Sequence, residues 1–437
     1  MNNSSPASTE PPTLAHNPYS SKPYRYYVLG LFSITYMFNF VDRQILAILQ
    51  EPIKQELALS DTQLGLMTGF TFAVFYIVMG IPIARWADRG NRRNILALCL
   101  ALWSAMTALC GLAQNYIQLL LARMGVGVGE AGCSPPSHSM ISDMFPIKER
   151  TTAFGVYNSG VNIGMLVGFL LGGWLQEFFG WRVALLAVGI PGVILAIIIK
   201  FTVREPTRPR LSSEAQSEDH PTFKETLSLL WSKKTYRYMV LGGAMSAFSA
   251  YCLFSWLPSF LIRSHGMSTG TIGTMLALSI GIGGAVGTMA TGYFADRLGG
   301  ERDKRWYPWI LIITYGIPVP FLLTMFYADS GLTALFLFIV PACLLAGYLA
   351  PLITVTHSLV KVRMRALSSA LSLLIINLIG LGLGPVSVGL LSDTLTPSMG
   401  DDGLRIALCI LSVSSLFLAV FLFFMTSRHV RNEMPDQ

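Results

Sequence analysis

The chain has 437 residues, of which 52% are hydrophobic and only 13% charged, and its mean hydropathy is +0.54. A soluble domain of that composition would expose apolar surface on a large scale, so the expected class is a membrane protein. The formal net charge of +7 is scattered as short basic clusters between apolar runs, which is how topology signals look, and no nucleic-acid partner is expected.

Residues 1–24 are rich in Ser, Pro, Asn and Thr and lack the basic region and apolar stretch of a secretory signal, so they read as a disordered cytoplasmic tail. Helix-length apolar runs follow at 26–48, 62–86, 94–113, 116–139, 151–176, 182–203, 236–262, 270–294, 306–328, 332–358, 365–391 and 404–427. Each can cross about 30 Å of hydrocarbon. The one long polar interruption, 204–235 (beginning REPTRPRLSSEAQSEDHP), falls between runs six and seven and reads as a cytoplasmic linker. The expected fold is therefore an all-α membrane protein of twelve transmembrane helices in two six-helix halves, 25–203 and 236–427, with a cytoplasmic tail at 428–437.

Lysine and arginine concentrate in the segments that are internal if the N-terminus is inside, whereas the outer loops hold only Lys54, Arg182, Arg263 and Arg405. Both termini are thus expected in the cytoplasm, and the protein in the cell membrane as a multi-pass chain, the cytoplasmic membrane if the source is bacterial. A short signature occurs twice, ARWADRGNRR at 84–93 and GYFADRLGGERDKR at 292–305, about half the chain apart. The repetition predicts a duplicated bundle. Asp88, Arg89, Arg92, Asp296 and Arg297 are expected to form a cytoplasmic gate, each aspartate capping or pairing with a basic helix end across the two halves.

The ionisable residues placed most clearly inside the bilayer, away from the ends of the apolar runs, are Asp42, Arg43, Arg123 and Glu130. A charge at membrane depth costs about 2.5–3.5 kcal/mol on insertion scales, so it is usually paired or faces a water-filled cavity that serves transport or proton relay. Counting helical rise puts Asp42, Arg43 and Arg123 at one level, with Glu130 on the Arg123 face about 10 Å nearer the cytoplasm. Adjacent residues diverge by about 100°, so Arg43 is expected to face the cavity with Tyr36 and Asn39, and Asp42 to turn toward a neighbouring helix, the fourth span being the candidate. A carboxylate in such surroundings can be tuned to titrate near neutrality, which makes Asp42 and Glu130 the proton-coupling candidates. The competing reading is a static ion-pair knot between the first and fourth spans.

The six-plus-six layout, the ADRGNRR and ADRLGG loops and the arginine of LLLARMGVGVGEAG resemble the major facilitator superfamily across nearly the whole chain. The first loop departs from that pattern at Ala84 and Asn91, where glycines are common, while the second keeps Gly292 and Gly299. More narrowly, NFVDR (39–43) with GVGEAGCSPPSHSMISDMFP (127–146) looks like the Spinster branch, whose members export sphingosine-1-phosphate or lysophospholipids. Organic anion:proton symporters of the same superfamily begin similarly.

The resemblance implies a proton-coupled secondary active transporter that works by alternating access, with Arg43 or Arg123 holding an anionic head group. The expected substrate is a lysophospholipid or a sphingosine-1-phosphate-like amphipathic anion, and the alternative is a small carboxylate carried by an organic anion:proton symporter. Further cavity candidates are Tyr157, Asn158 and Asn162 in run five, Tyr251, Phe254 and Trp256 in run seven, Thr356 and His357 in run ten, and Asn377 in run eleven.

Other motifs carry no chemistry. G-V-G-E-A-G at 127–132 has no strand before it. Glycines 160, 164, 168 and 172, at intervals of four, read as a close helix contact. The six cysteines show neither disulfide nor metal spacing, so no metal or cofactor is expected. A membrane-embedded lipid enzyme is a remote alternative whose sole hint is His138 beside Ser137 or Ser139. No enzymatic activity is expected, the partners being substrate, protons and lipid, and the working unit a monomer.

Overall fold

The computed structural model describes residues 19, 21–207, 222–299 and 303–433. Most of the expected N-terminal tail, the middle of the linker and the end of the C-terminal tail lie outside the described residues. The end of the N-terminal tail is ordered, contrary to expectation, with Tyr19 buried and residues 22–24 opening the first helix, where Tyr24 donates to the Thr202 carbonyl at 2.8 Å. No strand occurs among the described residues, and each of the twelve apolar runs falls on helix. The helices are α1 (Lys22–Leu57), α2 (Asp61–Arg89), α3 (Arg92–Cys110), α4 (Tyr116–Glu130), α5 (Ser134–Met144), α6 (Ile147–Thr202), α7 (Phe223–Ser232), α8 (Lys234–His265), α9 (Thr269–Gly299), α10 (Trp306–Phe326), α11 (Gly331–Leu344), α12 (Leu349–Ser358), α13 (Val362–Met399) and α14 (Asp402–Glu433). Among the described residues, nine helical stretches are long and apolar enough to cross a membrane, one of them Gly331–Ser358, which spans α11, a short break and α12.

The interruptions have local causes. The fourth run breaks after Glu130, where Pro135 and Pro136 start α5; a proline fits a first helical turn but not an interior one. Runs five and six join as α6 across a kink at Gly180 (φ 82°, ψ 163°), a conformation that only glycine reaches cheaply. Widened π turns at Leu66–Phe70 in α2, Ala277–Gly283 in α9 and Leu378–Leu383 in α13 leave the α-helical register inside apolar runs.

Helix α6 lies against α1 along the glycine stripe. A β-carbon on Gly160 would stand 2.6 Å from the Ser33 carbonyl oxygen, and one on Gly164 would stand 2.5 Å from that of Met37, so backbone meets backbone. This contact seats the apolar flank of α1 and leaves its Arg43 flank to face the second group of helices.

The helices before residue 203 and those after 233 meet at the face of the bundle opposite the chain termini. There Asp61, at the start of α2, is buried and receives Arg263 of α8 through Nη1 at 2.8 Å and Nη2 at 2.7 Å, Lys54 at 2.7 Å and the Ser392 hydroxyl at 2.6 Å. Arg263 also donates to Glu51 at 2.8 Å. The first turn of α2 is capped from both groups. Ser60 accepts from the Gln63 amide, while Asp393 of α13 accepts from the amides of Asp61 (3.0 Å) and Thr62 (2.8 Å) and from the Thr62 hydroxyl (2.6 Å). Nearby, the Gly270 amide donates to Glu177 at 2.7 Å and Trp174 donates to the Thr274 hydroxyl at 3.0 Å.

Gly164→Ala should lower stability by about 1–3 kcal/mol because the added methyl meets the α1 backbone, whereas Gly155→Ala, with open space around the added carbon, should be neutral. Thermal unfolding of the purified variants checks the contrast.

Candidate functional site

Between the two groups of helices lies a cavity of about 520 Å³. One face of α1 lines it with Tyr36, Phe40, Arg43, Gln44, Ala47 and Gln50; the spacing repeats by three and four residues, as a single helix face requires. Thr68 and Phe72 of α2, Arg123 of α4, and Asn158, Asn162 and Met165 of α6 complete the first side. Tyr251, Phe254 and Ser255 of α8, with Tyr348 and Leu381, supply the second. The wall is mainly apolar and aromatic, and its charges come from two arginines.

Arg43 Nε donates to Glu130 Oε2 at 2.7 Å, with the glutamate side chain fully buried and the arginine 14% exposed. The Arg43 guanidinium carbon stands 4.9 Å from the ring centres of Phe72 and Tyr76 and 5.2 Å from that of Phe40. Three rings thus cage the cation, each such contact contributing on the order of 0.5–2 kcal/mol. Arg123 is buried, its guanidinium 5.3 Å from the Phe72 ring, and among the described residues no carboxylate lies within ion-pair distance of it. Among the described residues its Nε has no hydrogen-bond partner, and neither has the second Glu130 oxygen.

Asp42 is buried on the other flank of α1, where Oδ2 accepts from the Thr107 hydroxyl at 3.1 Å and Oδ1 is unpartnered. The expected neighbour was the fourth span, but the partner sits on α3. The 100° step from Arg43 turns Asp42 toward α3, while α4 is engaged with Arg43 through Glu130.

The other candidates separate. Tyr36, Asn158, Asn162, Tyr251 and Phe254 line the cavity. Tyr157 stands behind it, stacked on Tyr36 at 4.5 Å between ring centres and met edge-on by His138. Asn39 is buried with its Nδ2 unpartnered, and neither it nor Asn377 lines the cavity. Arg92 ties α3 to Asp143, to Ser139 at 2.8 Å and to Glu205 at 2.7 Å, contacts that lie within the first group and its exit segment. Asp88, Arg89, Asp296 and Arg297 are exposed, and Arg297 donates to Tyr293 at 2.6 Å. Ser137 donates to the Cys133 carbonyl at 2.7 Å, so no serine–histidine pair forms at His138. Among the described residues no cluster of His, Cys, Asp and Glu could hold a metal ion.

Sequence reasoning missed Thr107, Phe40, Phe72, Gln44 and Gln50. Gln44 carried a usable signal, being an amide inside the first apolar run one residue beyond Arg43, whereas Gln50 falls two residues past the end of that run. Phe72 and Tyr76 carried little, since aromatic residues in an apolar run are ordinary.

The Major Facilitator Superfamily family model matches residues 32–385. The chain is 33% identical over 412 residues to an MFS-type efflux pump of Mycolicibacterium smegmatis, covering 94% of each chain. It is 30% identical over 270 residues to a probable L-galactonate transporter of Escherichia coli, covering 60% of this chain and 59% of that one. The crystal structure of a bacterial homolog to the human lysosomal transporter Spinster, inward-facing and unoccupied, superposes with a TM-score of 0.85 at 33% identity, over 95% of this chain and 99% of that one. The chain resembles the Spinster branch, and it is a transporter of the cell membrane, crossing it several times, rather than an enzyme. It belongs to the Major Facilitator Superfamily.

Proposed function

We propose that the protein is a proton-coupled secondary active transporter that moves a lysophospholipid or a sphingosine-1-phosphate-like amphipathic anion by alternating access. The observation that carries the reading is the Arg43–Glu130 ion pair beside Arg123, which has no carboxylate at ion-pair distance among the described residues, in the wall of a mainly apolar cavity. The twelve helical runs cross the membrane as two six-helix halves, 25–203 and 236–427, with the face that carries the chain termini cytoplasmic; the basic loops support this orientation. The Asp61–Arg263 network then closes the outer face, and the region of Asp88, Arg89, Arg92, Asp296 and Arg297 forms the inner gate.

Arg123 receives the anionic head through charge-assisted hydrogen bonds, and the anion competes with Glu130 for Arg43. Glu130, once released in a dry environment, takes a proton; the unpartnered oxygen of Asp42 offers a second acceptor. Binding of anion and of proton therefore support each other, because each relieves the charge imbalance that the other creates. The aromatic wall around Tyr36, Tyr251 and Phe254 takes the acyl chain. The second reading, a small carboxylate, is favoured by the L-galactonate relative and needs only the charged end of the cavity.

In proteoliposomes, Asp42→Asn and Glu130→Gln should each abolish pH-driven movement of a fluorescent lysophosphatidylethanolamine while the protein elutes as a folded species. Undiminished flux in both would remove these carboxylates from the coupling. Arg123→Lys should weaken binding of that lysolipid by about tenfold or more, with little change in melting temperature, because the fork of donors is lost. Arg43→Lys should lower the melting temperature as well, its Nε being committed to Glu130. Calorimetry and thermal unfolding separate the two arginines. Arg263→Gln should lengthen distances between spin labels across the Asp61 face, and an unchanged distribution would show that the ion pairs do not hold it shut.

A further inference from the structure

Gln50 is fully buried, lines the cavity, and has no hydrogen-bond partner among the described residues at either Nε2 or Oε1. Leaving an amide so placed costs about 1–3 kcal/mol for each unserved polar group, so an idle role in packing does not account for it. The residue lies seven positions beyond Arg43, on the same helix face and about 10 Å further along the axis toward the closed Asp61 end. Gln44 and Ala47 lie between them on that face, and Phe254 lines the wall from α8. The cavity thus holds charge-recognition at one level and an unserved donor–acceptor pair at another, with Gln44 and Ala47 between them on the helix face.

We infer that Gln50 is a specificity-determining subsite, which takes a hydroxyl or amide carried about 10 Å from the anionic group of the substrate. The inference rests on the anion-binding reading of Arg43 and Arg123 and narrows it: the preferred substrate is polar at two places rather than an anion with a bare hydrocarbon tail. A primary amide suits a hydroxyl because it can accept the O–H proton at Oε1 and donate an N–H to the hydroxyl oxygen.

Octyl phosphate and its 4-hydroxy and 8-hydroxy derivatives test this by isothermal titration against the purified full-length protein. The two hydroxy isomers have matched polarity, so their ratio cancels most of the difference in micelle partition. The parent should bind the terminal isomer about fivefold to tenfold more tightly than the mid-chain isomer, the worth of one or two hydrogen bonds. Gln50→Leu should bring that ratio to one, while octyl phosphate, which meets a leucine where it met an unserved amide, binds at least as tightly as to the parent. Equal affinities in the parent, or a preference that survives Gln50→Leu, would overturn the subsite, whereas failure of all three probes to bind would overturn the arginine reading on which it stands. The isomer ratio in the parent decides the matter even where Gln50→Leu fails to fold.

Discussion

A guanidinium and a carboxylate held 2.7 Å apart with almost no solvent contact set the terms for everything around them. Removing either partner from such a pair strands a charge in an apolar interior at a cost of about 3–5 kcal/mol, so the helices that bring Arg43 and Glu130 together are obliged to stay together unless another ion replaces one of them. The aromatic cage of Phe40, Phe72 and Tyr76 reduces the demand on the carboxylate by sharing the cation. In the proposed exchange of Glu130 for a substrate anion, that sharing lowers the cost of releasing the cation from its carboxylate.

The pair is positioned by a contact that contains no polar chemistry. Because α6 meets α1 through glycines, α1 has one rotational setting, in which Arg43 and Gln50 face the cavity and Asp42 faces Thr107. A side chain on the glycine stripe would push α1 away or rotate it, and a rotation of one residue exchanges Arg43 for Asp42 at the cavity wall. Backbone proximity on one flank of the helix therefore decides the electrostatics of the other.

Much of this architecture was legible in the sequence because lipid imposes few alternatives. Apolar length, the polar linker and the rare charges inside apolar runs are strong signals, and they single out Asp42, Arg43, Arg123 and Glu130 without any coordinates. What stayed hidden depends on contacts distant in the chain. Thr107 is an unremarked hydroxyl in an apolar run, and nothing local marks it as the partner of Asp42. Arg92 reads in sequence as one more basic residue of the first loop, yet it turns to Asp143 and Glu205, far apart in the chain. The π turns and the breaks at 131–133 and 345–348 escape hydropathy because they are changes of hydrogen-bond register rather than of polarity.

The cap on α2 has a consequence for how the bundle comes apart. Two of the four amides at that helix start are served by Asp393 from the other group, so separating the groups there frays a helix end as well as breaking ion pairs. Losing such a cap costs about 0.5–2 kcal/mol, and the freed amides then find water, so the helix loosens without collapsing. In the proposed cycle, re-closure of this seam requires Asp393 to return to the same two amides, so a main-chain contact sets the register of the closed face.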